Sequence, residues 1–334
     1  MTRRKFLRLA GAALAAANLP LGADLAAAAN PVGSFGGPTP NDQFYVTSYG
    51  ETPAVDAAKW NLKIHGLVRN PISLNLGQLR ALPAVHETLT LECISNPPDG
   101  SAISNAEWAG APLQPILERV GVKSGAVYAA MRAADGYYTG VPVEEILRPE
   151  NFMPYLMNGA PLPPAHGYPV RIFIPGKYGM KQPKWITEIE FVDRPFTGYW
   201  EARGWSNEAW RKVNSGFFQP RPSGGLLDIL SLSTSARAKS PVDIAGWALA
   251  GPSGIRRVAV STDDGATWKP AELILNRSHY EWTVWKYHFA APPGEYAVRV
   301  RATDGDGAAQ PPSDPQTGSG MSGQPRMRLE ILAT

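Results

Sequence analysis

The period of the hydrophobic pattern changes along the chain, and the changes mark out its elements. From Lys59 to Leu82, Trp60, Leu62 and Ile64 alternate with polar residues, as in a half-buried strand. Asn70-Pro71 then turns the chain, and Leu74 to Leu82 reads as a second strand running into a short helix. Alternation resumes from Glu87 to Ile94 and puts Leu89, Leu91 and Cys93 on one face, so Cys93 stands at a strand end, entering Ser95-Asn96-Pro97-Pro98-Asp99-Gly100. Leu113 to Val120 and Val143 to Leu147 have short-helix spacing, whereas Ala126 to Ala133 and Val170 to Pro175 are apolar runs expected to be buried strands.

After Gly198 the chain is rich in tryptophan and polar residues, and Pro220 to Gly225 reads as a linker. Beyond it come short alternating segments at Val242 to Ala250, Ile255 to Thr262, Trp282 to Phe289 and Glu295 to Thr303, with turns at Asp264-Gly265 and Pro293-Gly294. Pro311 to Gly323 reads as a long loop, and Met327 to Leu332 as the last strand. The expected architecture is α+β: a mixed α/β domain over residues 35–220, then an all-β immunoglobulin-like sandwich over 226–334.

Residues 1–29 form a separate unit. Arg3-Arg4-Lys5-Phe6-Leu7 leads into an alanine-rich apolar run ending in small residues at Ala26 to Ala29, the pattern of a signal peptide. The paired arginines resemble the twin-arginine export address, which implies a periplasmic destination for a protein exported already folded. An ordinary secretory signal is the alternative reading. No later segment offers about 18 uninterrupted apolar residues, so no span is expected after signal removal. Four basic residues against Asp24 give this segment the whole formal charge of +3, and a near-neutral remainder has no electrostatic footprint for nucleic acid. Cys93 is the single cysteine, which excludes an internal disulfide; by composition alone it is most simply a small buried hydrophobe.

Three segments together resemble the sulfite oxidase family of molybdopterin-dependent oxidoreductases. The first runs from Gly66-Leu67-Val68 through Leu89-Thr90-Leu91-Glu92-Cys93-Ile94-Ser95-Asn96 to Trp108-Ala109-Gly110. The second is His166-Gly167-Tyr168-Pro169-Val170-Arg171 with Pro175-Gly176-Lys177-Tyr178-Gly179-Met180-Lys181-Gln182-Pro183-Lys184-Trp185. The third, from Gly246-Trp247 to Gln310-Pro311, is similar to the family's dimerisation domain. The resemblance implies a molybdenum-molybdopterin cofactor, with Cys93 as the thiolate on the metal. It implies that His166, Arg171, Gly179, Met180, Lys181 and Lys184 hold the pterin phosphate, and that Phe44, Tyr45 and Asp135 contact the pterin. It further implies a homodimer through the C-terminal domain and oxygen-atom transfer on a small-molecule substrate. With no Cys-x-x-Cys-His haem motif in the chain, electrons are expected to pass to an external carrier such as a cytochrome.

The sequence departs from the family at the anion pocket. The two arginines that bind sulfite fall here on Thr47 and on Pro97 or Pro98, and the active-site tyrosine falls on Trp205. Such a pocket, turned toward Thr47, Tyr49, Trp108 and Trp205, implies a substrate bulkier or less charged than sulfite, such as a sulfoxide or N-oxide. Lys181 and Arg203 could replace the lost charge only by pointing inward. A true sulfite dehydrogenase and a non-enzymatic binding or scaffold protein are the rival readings.

Overall fold

A computed structural model describes residues 36–220 and 234–333. The expected signal peptide, most of the expected linker and the start of the expected second domain lie outside those residues. The described chain is mostly sheet with few, short helices.

The first part holds strands β1 (Asn61–Gly66), β2 (Ile72–Asn75), β3 (Val85–Glu92), β4 (Ile103–Pro112), β5 (Tyr128–Ala133), β6 (Tyr138–Pro142), β7 (Phe152–Met157), β8 (Ala160–Pro161) and β9 (Ile186–Val192). Its helices are α1 (Leu76–Arg80), α2 (Gln114–Val120) and α3 (Val143–Ile146). One sheet has the order β2-β1-β9-β5-β6 and a second the order β3-β4-β7-β8. The alternation read in β1 is real, with Leu62 and Ile64 fully buried between exposed neighbours. α1 starts where Asn75 and Gln78 cap each other reciprocally, and α2 stops at Gly121, whose φ of 66° is a left-handed turn.

One expectation is corrected. Val170 to Pro175 is buried but is not a strand; it makes a single isolated bridge, Phe152 to Phe173. Its other backbone bonds include those from Arg171 N to Pro154 O, from Ile172 N to Pro183 O, from Ile174 N to Gln182 Oε1 and from Ile186 N to Val170 O, so the buried run is satisfied by scattered partners rather than by a ladder. A continuous apolar run reports burial and leaves the hydrogen-bond partner open.

The second part contains β10 (Asn214–Gln219), β11 (Thr234–Lys239), β12 (Val242–Leu249), β13 (Ile255–Ser261), β14 (Lys269–Pro270), β15 (Glu272–Leu275), β16 (Thr283–Phe289), β17 (Gly294–Asp304) and β18 (Arg326–Leu332). Two sheets, β10-β12-β16-β15 and β11-β18-β17-β13-β14, share one core built from Phe217, Ile244, Trp285, Val258, Val300 and Leu329. β10 precedes the expected linker yet pairs with β12, so the sandwich takes its first strand from upstream of residue 220.

Trp285 is fully buried at the centre of this core and donates Nε1–H to Trp247 O at 3.0 Å. Trp285→Ala is expected to lower unfolding free energy by about 3–5 kcal/mol, measured as a shift of the denaturant midpoint at unchanged m-value.

Candidate active site

Cys93 follows the last residue of β3, and the loop it opens is closed by its own bonds. Cys93 N donates to Ala102 O, Asn96 N to Cys93 O and Ala102 N to Asn96 Oδ1, each at 2.9 Å. The thiol is half-buried, with Sγ 3.2 Å from Ser95 Oγ. Among the described residues no group of three or more His, Cys, Asp or Glu side chains could cage a metal. A metal at this sulfur therefore has to bring other ligands with it.

Tyr45 lies over the same place. Its N–H donates to Ser104 Oγ at 3.2 Å, and burial, reinforced by the nearby Cys93, pushes its phenol well up. A Cβ on Gly179 would lie 3.5 Å from Tyr45 Oη and 3.7 Å from Glu92 O, in ordinary contact with both, which places the glycine between them. Met180 and Trp205 pack with Ile94, Tyr178 and Ala209, which brings Trp205 beside the cysteine loop. Met180 O also accepts from Tyr137 Oη at 2.6 Å.

A basic cluster stands on the other side of Tyr45. Gly167, at φ 109°, lets Arg171 and Lys184 converge, since a Cβ there would meet both of their Cβ atoms at 3.1 Å. Arg171 is buried over the faces of Trp108 and Phe173, donates Nη1 and Nη2 to His166 O and Gln182 O, and leaves Nε–H with no partner. Burial lowers it to about 10. Burial, then the adjacent Arg171, lowers Lys184 to about 8. His166 is lowered too, chiefly by burial and further by the two cations, against the raising effect of its contact with Asn41 O at 3.0 Å. Lys177 has Glu145 at 2.7 Å, but neither Arg171 nor Lys184 has a carboxylate within ion-pair distance among the described residues. A buried donor without an acceptor and two unneutralised cations fit an anionic group such as a phosphate.

Other expected residues take different roles. Lys181 is fully buried and gives its ammonium to Glu201, to Gly140 O at 2.8 Å and to Asn207 Oδ1 at 3.1 Å, so its charge is neutralised within the fold, whereas the acceptors around Lys184 are all uncharged. Phe44 and Trp108 are core residues packed edge to face, and Trp108 Nε1–H is spent on Leu89 O. Asp135 caps its own turn through Tyr137 N and lies close enough to Lys184 to pull its pKa upward. Thr47 is exposed and serves through its carbonyl, which accepts from Lys184 Nζ at 3.1 Å; Ser48 Oγ and Ala165 O take the other two donors.

Three features were missed. Glu92, fully buried next to Cys93, is pushed up to about 7 by burial, against its bonds to Asn96 and Asn214 and the nearby Arg211. Arg211 is itself buried, bonding Thr90 O at 2.6 Å with Nε–H unpartnered. The loop after β17 also lies against the site: Gln316 Nε2 donates to Ile94 O at 3.4 Å and Ser206 N to Gly318 O at 2.8 Å, beside Trp205. An acid directly before a lone cysteine was the only signal visible in the sequence; the other contacts cross more than 100 residues.

The cation cluster gives a test without any ligand. Between about pH 8 and the ordinary lysine value of 10.5, the unfolded chain holds a proton on Lys184 that the folded chain has lost, so stability of the ligand-free protein rises with pH across that window. Lys184→Met is expected to flatten that rise and to stabilise the ligand-free protein at pH 7 by roughly 1 kcal/mol after solvent screening, read from denaturant midpoints at several pH values.

The comparisons with known proteins agree with this geometry. Residues 49–200 match the family model for the oxidoreductase molybdopterin binding domain, and residues 228–332 match that for the Mo-co oxidoreductase dimerisation domain. The uncharacterized oxidoreductase YuiH of Bacillus subtilis is 33% identical over 175 residues, which is 51% of this chain and 86% of that protein. Mitochondrial sulfite oxidase of Rattus norvegicus is 29% identical over 314 residues, 82% of this chain, but the match spans only 57% of that enzyme. The solved sulfane dehydrogenase SoxCD from Paracoccus pantotrophus shares the fold, with TM-score 0.75 at 21% identity over 90% of this chain and 84% of that one. The chain belongs to the sulfite oxidase family of molybdenum-molybdopterin oxidoreductases.

Proposed function

We propose that this protein is a periplasmic oxidoreductase that transfers an oxygen atom to or from a small, uncharged or weakly charged acceptor such as a sulfoxide or N-oxide, rather than one built for sulfite. Molybdenum held by molybdopterin supplies two-electron oxygen-atom chemistry when bound. Cys93 would anchor the metal through its sulfur, and Arg171 and Lys184 would neutralise the phosphate. Trp205 and the loop around Gln316 would wall the substrate side and exclude water.

The observation that carries the substrate reading is the orientation of the two replacement cations. Lys181 is committed to Glu201, and the Arg203 guanidinium lies 3.5 Å over the Tyr199 ring with Nη1 on Tyr199 O. Thr47 and Pro97 bring no charge. A dianion would thus lose charge-assisted bonds worth roughly 1.5–3 kcal/mol each. The relatives named sulfite oxidase favour a second reading, a sulfite dehydrogenase that passes electrons to a cytochrome c. We further read the C-terminal sandwich as immunoglobulin-like and as the surface of a homodimer, and an external carrier as the electron partner.

Molybdenum-loaded protein is expected to reduce sulfoxides or N-oxides while supporting little sulfite-dependent cytochrome c reduction, and Cys93→Ser is expected to abolish turnover. Efficient sulfite oxidation would favour the second reading. Replacing Arg3 and Arg4 by lysine is expected to leave folded protein in the cytoplasmic fraction, as fractionation and immunoblotting would show; an unchanged periplasmic yield would remove the twin-arginine assignment.

A further inference from the structure

The strand that opens the C-terminal sandwich reaches back to the loop that carries the thiol. Asn214 Nδ2, at the start of β10, donates to Glu92 Oε1 at 2.6 Å. Asp99 N donates to Ser215 O at 3.2 Å, and Asp99 Oδ1 accepts from Phe217 N at 2.7 Å. The three bonds bracket Cys93: Glu92 precedes it, and Asp99, at φ 59°, sits in the turn closed by Gly100 N on Pro97 O.

Within the bracket Asn96 links the two ends, donating to Glu92 Oε1 at 3.1 Å and accepting from Ala102 N at 2.9 Å. Glu92 and Asn214 are both fully buried, so no water substitutes for their bond once it is broken. Glu92 Oε1 is thereby shared between one amide of its own loop and one amide of the second domain. The residue entering Cys93 is fixed from both sides.

We propose that Asn214 and Asp99 are positioning residues for Cys93, and that the C-terminal sandwich, through β10, sets the direction in which the sulfur points. The inference rests on Cys93 being the metal-bearing residue, and it gives the second domain a role in the first domain's site apart from any part in dimer formation. A mere bolt between domains would change stability and leave the thiol as it was. A positioning strand changes the thiol itself.

The test uses the full chain in metal-free and metal-loaded forms. In metal-free Asn214→Ala and Asp99→Ala, alkylation of Cys93 by iodoacetamide is expected to speed up by about five- to thirtyfold, the factor that 1–2 kcal/mol of lost constraint gives. Asp99→Asn keeps the acceptor for Phe217 N and is expected to stay close to the unsubstituted rate. Phe289→Leu, in the sandwich core and away from the loop, controls for general destabilisation. In metal-loaded protein, Asn214→Ala is expected to shift the Mo(V) electron paramagnetic resonance signal, and Phe289→Leu to leave it in place.

Alkylation rates that are unchanged in both alanine variants, or that rise equally in Phe289→Leu, overturn the proposal. Should Asn214→Ala fail to fold, the Asp99→Ala and Asp99→Asn pair decides it. An unsubstituted protein that takes up no molybdenum would instead defeat the assignment of Cys93 as metal ligand, and the alkylation series would still decide whether β10 orders the thiol.

Discussion

Buried positive charge without a neutralising carboxylate is costly, and the fold keeps two such charges side by side at one end of its site. Arg171 and Lys184 are desolvated, Arg171 further lowers the affinity of Lys184 for a proton, and Arg171 Nε–H has nothing to donate to. Elsewhere the same protein neutralises its buried lysines, giving Glu145 to Lys177 and Glu201 to Lys181. That contrast separates cations serving the fold from cations held for an anion. It also explains Gly167, whose missing side chain is what lets the two charged residues approach.

The sulfur end of the site is organised differently. Around Cys93 the protein supplies a hydrogen-bonded framework: the internal bonds of the loop, the shared Glu92 oxygen and the three contacts from β10. A soft ligand on a mobile loop would leave the orientation of a bound metal undetermined, whereas a loop closed at both ends holds it within a narrow range. Tyr45 connects the two ends, since its phenol responds to both Cys93 and Arg171. The thiol and the basic cluster are thus both within electrostatic reach of one aromatic side chain.

Family membership leaves room for divergence because different residues carry the two tasks. Residues that fit a phosphate are in place, while in the proposed reading the positions that would bind a small dianion hold Thr47, Pro97 or Pro98, and Trp205. Lys181 shows why motif matching alone misassigns roles. It stands within the matching segment, but Glu201 neutralises its charge, and with Gly140 and Asn207 it braces the turn that carries Gly179 and Met180.

By itself the sequence determined what depends on local pattern: the alternating strand that leads into Cys93, the short helices, the β-rich C-terminal part and the segments that mark the family. Periodicity and turn chemistry act over a few residues, so these features are written where they occur. What only the tertiary structure decided depends on partners distant in the chain. The sequence could not show that Val170 to Pro175 is bridged rather than paired, that Lys181 faces Glu201, or that Asn214 reaches Glu92 across 122 positions. A side chain's role follows from which donors and acceptors remain free after the chain has packed, and packing brings together groups that no spacing rule connects.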